Sequence, residues 1–277
     1  MNTLIKSTPV MASLLATAAM AQSNPAPVVI TGHYNNAVGT SDAASQGVIE
    51  AALLKSRPAL RPGEVLEFVP GVIVTQHSGD GKANQYFLRG FNLDHGTDFA
   101  TSVDGIPVNM PSHAHGQGYS DLNFLMPELV QRIEYRKGPY FAQSGDFASA
   151  GAADIIYVRK LDAPFGQVTL GERGLRRGVA GASFDIAPGV TLLGALELMH
   201  NDGPWTLPEG LKRSNAVLGL SGGTTARGWG TRLMAYDARW TSTDQVPQRL
   251  IDAGQFNGRP FGRFDAIDPS NGGNTQR

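Results

Sequence analysis

Cysteine is absent from the 277 residues, which excludes disulfide staples and thiolate metal sites. Charge is scarce: Asp, Glu, Lys and Arg make up 17% of the chain, and acids and bases nearly cancel to a net −1. Without a basic field there is no electrostatic footprint for nucleic acid. Beyond the N-terminal segment no run approaches the roughly 18 apolar residues of a membrane-spanning helix. No His-Glu-x-x-His helix or comparable zinc set is present, and Gly79-x-Gly81 lacks the third glycine and strand-to-helix context of a nucleotide loop. Glycine is plentiful, at 34 residues. High glycine with low charge suits turn-rich β structure better than a helical bundle.

Residues 1–21 have the pattern of an export signal. Lys6 is the only charge, an apolar stretch runs from Val10 to Met20, and Ala19-Met20-Ala21 puts small residues at both specificity positions of a cleavage site. Residues 22–47 are polar and rich in Pro, Gly, Ser and Asn, the composition of a flexible arm. Within them Val28-Val29-Ile30-Thr31 places four β-formers in a row. Such a segment suits strand addition to another protein's sheet, or is the first strand of the following domain.

Residues 48–160 read as a compact α+β unit. Val48–Ser56 is weakly helical, and Pro62–Phe68 begins with a proline suited to a first helical turn and stops before Pro70-Gly71. Short strands are expected at 72–76, 85–89, 99–103, 106–109, 129–136 and 153–159, with Asp104-Gly105 as a hairpin turn. From residue 161 the texture changes to about five segments of period two, each about the length a tilted strand needs to cross a membrane. In 177–186, Gly178, Ala180, Ala182, Phe184 and Ile186 share one face, opposite Arg177, Ser183 and Asp185. In 215–220, Ala216, Leu218 and Leu220 oppose Asn215, Val217 and Gly219; in 234–240, Met234, Tyr236, Ala238 and Trp240 oppose Asp237 and Arg239. Connections near Gly189 and Gly222-Gly223 are short, whereas 201–211 and 241–277 are long excursions; the hairpin at Arg173-Gly174-Leu175 is the exception, short on the long side. That asymmetry is the one found in outer-membrane barrels; a soluble β-sandwich is the competing reading.

Taken in order, these segments resemble the start of a TonB-dependent outer-membrane receptor. "RPGEVLEFVPGVIV" resembles the family's opening helix and strand, "QYFLRGFN" its Ile-Arg-Gly type strand end, and "TSVDGIPVN" its Asp-Gly hairpin. "PELVQRIEYRKGPYFAQSGDFASAGAADIIYVRK" resembles the closing stretch of the plug, and "PVVITG" the TonB box. The departures are Lys137-Gly138-Pro139 for the usual Arg-Gly-Pro, and Ser144-Gly145-Asp146-Phe147 where Tyr-Gly is usual. The fold implied is an α+β plug domain followed by antiparallel transmembrane β-barrel strands. Plugged barrels have about 22 strands, and 113 residues follow Pro164. The chain therefore reads as an N-terminal part, ending in the polar outer loop "DPSNGGNTQR".

The resemblance also places the loops 76–84, 91–98 and 109–120 at the outward apex of the plug. They carry His77, Asp80, Asp94, His95, Asp98, Met110, His113, His115, Gln117 and Tyr119, so four of the six histidines share one surface. Imidazole and carboxylate suit Zn, Cu, Fe or Ni, or bind an anionic metal chelate. His95, His113 and His115 are the candidate metal ligands; the competing reading is a polar loop that merely faces water. His200 is expected near the outer rim of the third barrel strand. Arg89, Glu134, Arg136 and Lys137 are expected as plug charges paired with barrel carboxylates, or as exposed strand ends.

The function implied is TonB-dependent transport of a scarce ligand across the bacterial outer membrane: a metal ion, a siderophore or another metal complex. TonB is the partner of Val28–Thr31, and neither cofactor nor catalysis is required. The alternative is a periplasmic metallohydrolase using His113 and His115 with Asp94 or Asp98. A receptor that also signals needs an extra domain before the arm, and only about five residues separate Gln22 from Pro27.

Overall fold

The computed structural model describes residues 34–35, 45–59, 61–76, 78–224, 227–242 and 245–277. The readings made for residues 1–21, for Val28–Thr31 and for His77 lie outside the described residues.

The first part of the described chain folds around two small sheets. One is six-stranded, in the order Tyr34–Asn35, Gln46–Glu50, Val130–Lys137, Gly151–Tyr157, Phe99–Val103, Ile106–Pro107. Only the pairing of Phe99–Val103 with Gly151–Tyr157 is parallel among these neighbours. The other joins Val72–Thr75, Gln85–Leu88 and Phe91–Asn92. Strand alternation sets the core: Phe99, Thr101 and Val103 point in, as do Gly151, Ala153, Ile155 and Tyr157. Asp104 and Gly105 both take positive φ, +50° and +78°, the requirement of a type I′ hairpin turn.

The Pro62–Phe68 segment is a 3₁₀ helix that buries Val65, Leu66 and Phe68. Glu64 accepts from the Arg61 backbone N–H at 3.4 Å. Val48–Ser56 corrects the helical expectation. Gln46–Glu50 is a strand paired with Val130–Lys137, and only Ala51–Leu54 forms a turn of helix. Ile49, fully buried opposite Ile133, explains the difference: sheet pairing and burial outweigh a weak local propensity.

After Pro164 a second six-stranded sheet forms a wall: Phe165–Leu170, Arg176–Ala187, Val190–Asn201, Leu211–Gly223, Gly228–Thr241 and Gly272–Gln276, each hydrogen-bonded to the next. The expected five strands are therefore six. The polar C-terminal stretch read as a loop pairs from Asp237↔Gln276 to Thr241↔Gly272. Among the described residues the wall is an open antiparallel sheet.

The two faces of the wall differ in kind. Val179, Leu193, Ala195 and Val217 are buried on the inward face, and the last three share one cluster with Leu129, Ile155 and Tyr157 of the first unit. Leu196 and Leu198 on the opposite face are 63% and 68% exposed, as a hydrocarbon-facing surface requires. In the last long strand, by contrast, the apolar set Tyr236 and Ala238 is buried inward, and Trp229 and Leu233 are exposed.

Charged anchors cross the same interface. Arg177 holds Glu128 with two parallel bonds of 2.6 and 3.0 Å and donates to Glu197 at 2.6 Å. Glu197, fully buried, also accepts from Arg213 at 2.9 Å and Asn215 at 2.5 Å. Arg232 pairs with Asp104 and donates to the Val158 carbonyl at 2.9 Å. These are not the expected anchors. Arg89 donates to Ser45, Glu134 pairs with Arg132, Arg136 lies over the Phe141 ring and Lys137 reaches the Pro70 carbonyl. Among the described residues none of these four meets a carboxylate of the wall. Glu134, Arg136 and Lys137 lie on the interior strand Val130–Lys137, and Arg89 follows the strand Gln85–Leu88; their partners come from the first part of the chain.

Candidate functional site

The loops 78–84, 92–98 and 109–120 converge at the end of the first unit that meets the long connections of the wall. Asn123 ties the first loop down by donating to the Gly81 and Lys82 carbonyls at 3.3 and 3.2 Å. An added Cβ on Gly81 would overlap the Trp240 ring at 1.9 Å, so only glycine allows this approach of loop to wall.

Asp94 is held in a left-handed conformation, φ +50°. Its backbone N–H donates to Asn92 Oδ1 at 2.8 Å, and its carbonyl accepts from Tyr86 N–H at 2.8 Å. His95 follows, its residue 2% exposed. Its Nδ1–H donates to the Asn84 carbonyl at 2.9 Å. That bond fixes the tautomer and aims Nε2 at Asp94 Oδ1, 3.8 Å away. A backbone acceptor on the far nitrogen is the usual support of a metal-ligating histidine.

The third loop is closed at its base by Met110 and Tyr119, whose backbones exchange a bond of 3.0 Å. Asn109 sets its footing: Nδ2 is shared among the carbonyls of Gly96, Phe99 and Gly118 at 2.9–3.0 Å, while Oδ1 accepts from Thr101 N–H at 2.6 Å. At the tip, His113 stacks on Tyr119 with ring centroids 4.0 Å apart and planes 11° from parallel. The His115 backbone N–H donates to His113 Nδ1 at 3.2 Å. The His115 ring stands edge-on to His95 at 4.5 Å. Tyr119 Oη accepts from Ala83 N–H at 3.0 Å, joining the third loop to the first; burial pushes its hydroxyl pKa up.

The outcome is a three-donor cluster: a carboxylate oxygen of Asp94 and ring nitrogens of His95 and His115 lie within 4.8 Å of one another. His113 is beside this cluster, stacked rather than aimed into it. Two carboxylates named from sequence are engaged elsewhere. Asp98 accepts from Ser149 Oγ, locking the glycine-rich stretch. Asp80 pairs with Arg61, accepts from Asn201 Nδ2 and donates its backbone N–H to Glu209 at 3.0 Å. Gln117 contributes its carbonyl to Thr97 Oγ1 at 3.0 Å, and Met110 is half-exposed at the loop base. His200 lies at the end of its wall strand, 3.1 Å from Asp202.

The hydrolase alternative is not assembled as expected: Asp98 is bonded to Ser149 and His113 is stacked on Tyr119, and of its four groups Asp94 and His115 enter the cluster, together with His95. Gly219-Leu220-Ser221-Gly222-Gly223 has the spacing of a nucleophile elbow, yet it lies within the wall strand Leu211–Gly223, with no strand-to-helix turn.

Asp121 was missed from the sequence because nothing local marks it as buried. Its residue is 3% exposed and accepts from Asn123 N–H at 2.9 Å. Burial, foremost, raises its carboxyl pKa, against the lowering effects of the Asn123 N–H, Arg277 and Arg213. A carboxyl raised on folding stabilises at low pH, and that contribution is lost as pH rises through its folded range. Asp121→Asn is therefore expected to have a higher melting midpoint than wild type at pH 8. The gap should close by pH 4, read from thermal melts across that range.

Comparison with known proteins gives the same architecture. Residues 40–152 match the model of the TonB-dependent receptor plug domain. The fold is similar to the copper transporter OprC (TM-score 0.56, 18% identity, 78% of this chain and 32% of that one). It is similar also to the ferric yersiniabactin uptake receptor FyuA from Yersinia pestis (0.54, 22%, 72% and 32%). The siderophore receptor PiuA from Acinetobacter baumannii is a third (0.51, 18%, 72% and 27%). The chain thus spans 27–32% of the length of these structures.

Proposed function

Because this chain carries a TonB-dependent receptor plug domain followed by antiparallel wall strands, we propose that it belongs to an outer-membrane transporter whose plug apex takes up a divalent metal ion, free or in a small complex. One observation carries the choice of ligand: the convergence of Asp94, His95 and His115, with His95 already oriented through Nδ1. Two imidazoles and one carboxylate, with no thiolate, suit Zn(II), Ni(II), Cu(II) or Fe(II). Three protein donors also leave room for water or for donors of a chelator. The similar structures are described as a copper transporter, a siderophore receptor and a ferric yersiniabactin uptake receptor, and copper is among the metals this donor set suits.

In this reading the wall's exposed apolar face lies in hydrocarbon, and the long connections and apical loops face outward. The short turns and the N-terminal arm face the periplasm. Residues Val28–Thr31 bind TonB by adding a strand, in which main-chain hydrogen bonds supply the affinity. Force on the arm then loosens the plug from the wall. No bond in the ligand breaks, so the process is transport rather than catalysis.

The test separates capture from entry. Deleting residues 27–32 is expected to leave radiolabelled metal binding to whole cells unchanged while energy-dependent accumulation stops. Accumulation that survives the deletion would exclude the arm as the TonB contact.

A further inference from the structure

The first apical loop, residues 78–84, is gripped from the wall. Glu209 stands at the end of the long connection between Val190–Asn201 and Leu211–Gly223, and is 2% exposed. One of its carboxylate oxygens accepts from the Asp80 backbone N–H at 3.0 Å, the other from the Trp205 indole at 2.5 Å. Its own backbone is fixed on both sides: its N–H donates to the Asp202 carbonyl at 2.9 Å, and its carbonyl accepts from the Thr241 N–H at 2.7 Å. Gly79 and Gly203 leave the room this carboxylate needs. An added Cβ would stand 2.9 Å from Glu209 Oε1 at Gly79, and 3.2 Å from Glu209 Cδ at Gly203. Beside it the Trp240 ring covers Gly81, and Ser242 Oγ lies 3.5 Å from Ser78 Oγ. Residues of the wall and its connections thus meet this loop at positions 78, 79, 80 and 81.

The same loop ends on two residues that support the metal cluster. The Ala83 N–H donates to Tyr119 Oη at 3.0 Å, and the Tyr119 ring lies against His95 and His115, with centroids 5.3 and 5.7 Å away. The next residue, Asn84, offers the carbonyl that accepts from His95 Nδ1 at 2.9 Å. Displacing the loop from the wall therefore disturbs both supports together. Metal–donor distances hold to about ±0.2 Å, so a site whose supporting shell is loose loses affinity even with every donor present.

We propose that Glu209 is a positioning residue for the apical metal site: from the wall it fixes loop 78–84, and through Ala83 and Asn84 it sets Tyr119 and His95 in place. It is not one of the three donors. This role rests on the apical metal reading given above. The chemistry at position 209 is specific. Two N–H groups point at two separate oxygens, and a carboxylate is the side chain that accepts at both; an amide offers one oxygen and turns a donor toward the second N–H.

The test titrates Zn(II) calorimetrically into the full-length receptor well below its melting temperature, and records Co(II) absorption spectra of the saturated protein. Glu209→Ala is expected to weaken Zn(II) binding by on the order of tenfold, the low end for loss of a supporting partner. Its Co(II) bands should match those of wild type, because the three donors remain. Glu209→Gln should fall between the two. Gly81→Ala, which pushes the loop off Trp240 without touching Glu209, should weaken Zn(II) binding by a similar factor, and together with Glu209→Gln it decides the matter if Glu209→Ala does not fold. A residue that only stabilises the fold would lower the melting temperature and leave the affinity of the folded variant at the wild-type value; that result for the position 209 variants and Gly81→Ala would overturn the proposal. A changed Co(II) spectrum in Glu209→Ala would overturn it too, by making Glu209 a donor. A wild-type receptor that binds neither Zn(II) nor Co(II) contradicts the metal reading itself, whereas wild-type affinity in the variants contradicts only the role of Glu209.

Discussion

His95→Ala lowers the affinity of the receptor for Zn(II) by roughly a hundredfold or more. Loss of a supporting partner alone costs a metal site about 10–100-fold, and this change removes a donor. His95 is also the member of the cluster whose orientation is fixed before metal arrives, through Nδ1–H to the Asn84 carbonyl. His115→Ala should lose a comparable factor, since its ring nitrogen is the second imidazole donor. Asp94→Asn should lose less, because an amide oxygen keeps a weaker donor in place. His113→Ala separates a built site from a merely histidine-rich loop. His113 stacks on Tyr119 and stands outside the three-donor set, so its removal should leave affinity nearly unchanged. Acidification should weaken binding, because metal competes with protons for imidazole nitrogens. Calorimetric titration of each variant reads all of these. Equal losses for His95 and His113 would mean that the loops act as a diffuse polar surface.

Glu197→Leu destabilises the fold by about 3–5 kcal/mol, the usual cost of breaking a buried pair by removing one member. Glu197 is the shared acceptor of Arg177, Arg213 and Asn215. Arg177 retains Glu128 in the variant, but Arg213, buried and paired with Glu197, loses its directly bonded counter-ion. The double variant Arg213→Met, Glu197→Leu should therefore recover much of the loss, since replacing a whole buried pair by apolar groups is often neutral. Denaturant unfolding followed by tryptophan fluorescence measures both. A Glu197→Leu protein as stable as wild type would mean that the buried network contributes nothing to holding the wall strands together.

Much of the fold was legible because strand periodicity is a local signal. The opposition of Ala216, Leu218 and Leu220 to Asn215, Val217 and Gly219 matches the outward and inward faces of that wall strand. The Asp104-Gly105 turn likewise follows from a residue pair that tolerates positive φ. Gly272–Gln276 was not legible: its residues are polar, and its strand character comes from pairing with Gly228–Thr241. The histidine-bearing loops were visible as a group, since four histidines in three loops is a compositional signal. Which of their groups converge was not. Asp80 looked equivalent to Asp94 until Arg61, Asn201 and Glu209 engaged it, and Glu209 lies 129 residues away. Asn84 contributes through its backbone, and Asn109 through an amide shared among three carbonyls. Neither role leaves a pattern in sequence.

The most direct test of metal capture at the plug apex is anomalous diffraction from the full-length receptor crystallised with Zn(II). The account predicts one strong peak within about 2.0–2.2 Å of Asp94 carboxylate oxygen, His95 Nε2 and a His115 ring nitrogen. A peak elsewhere on the molecule, or none at these three residues at saturating metal, would contradict it.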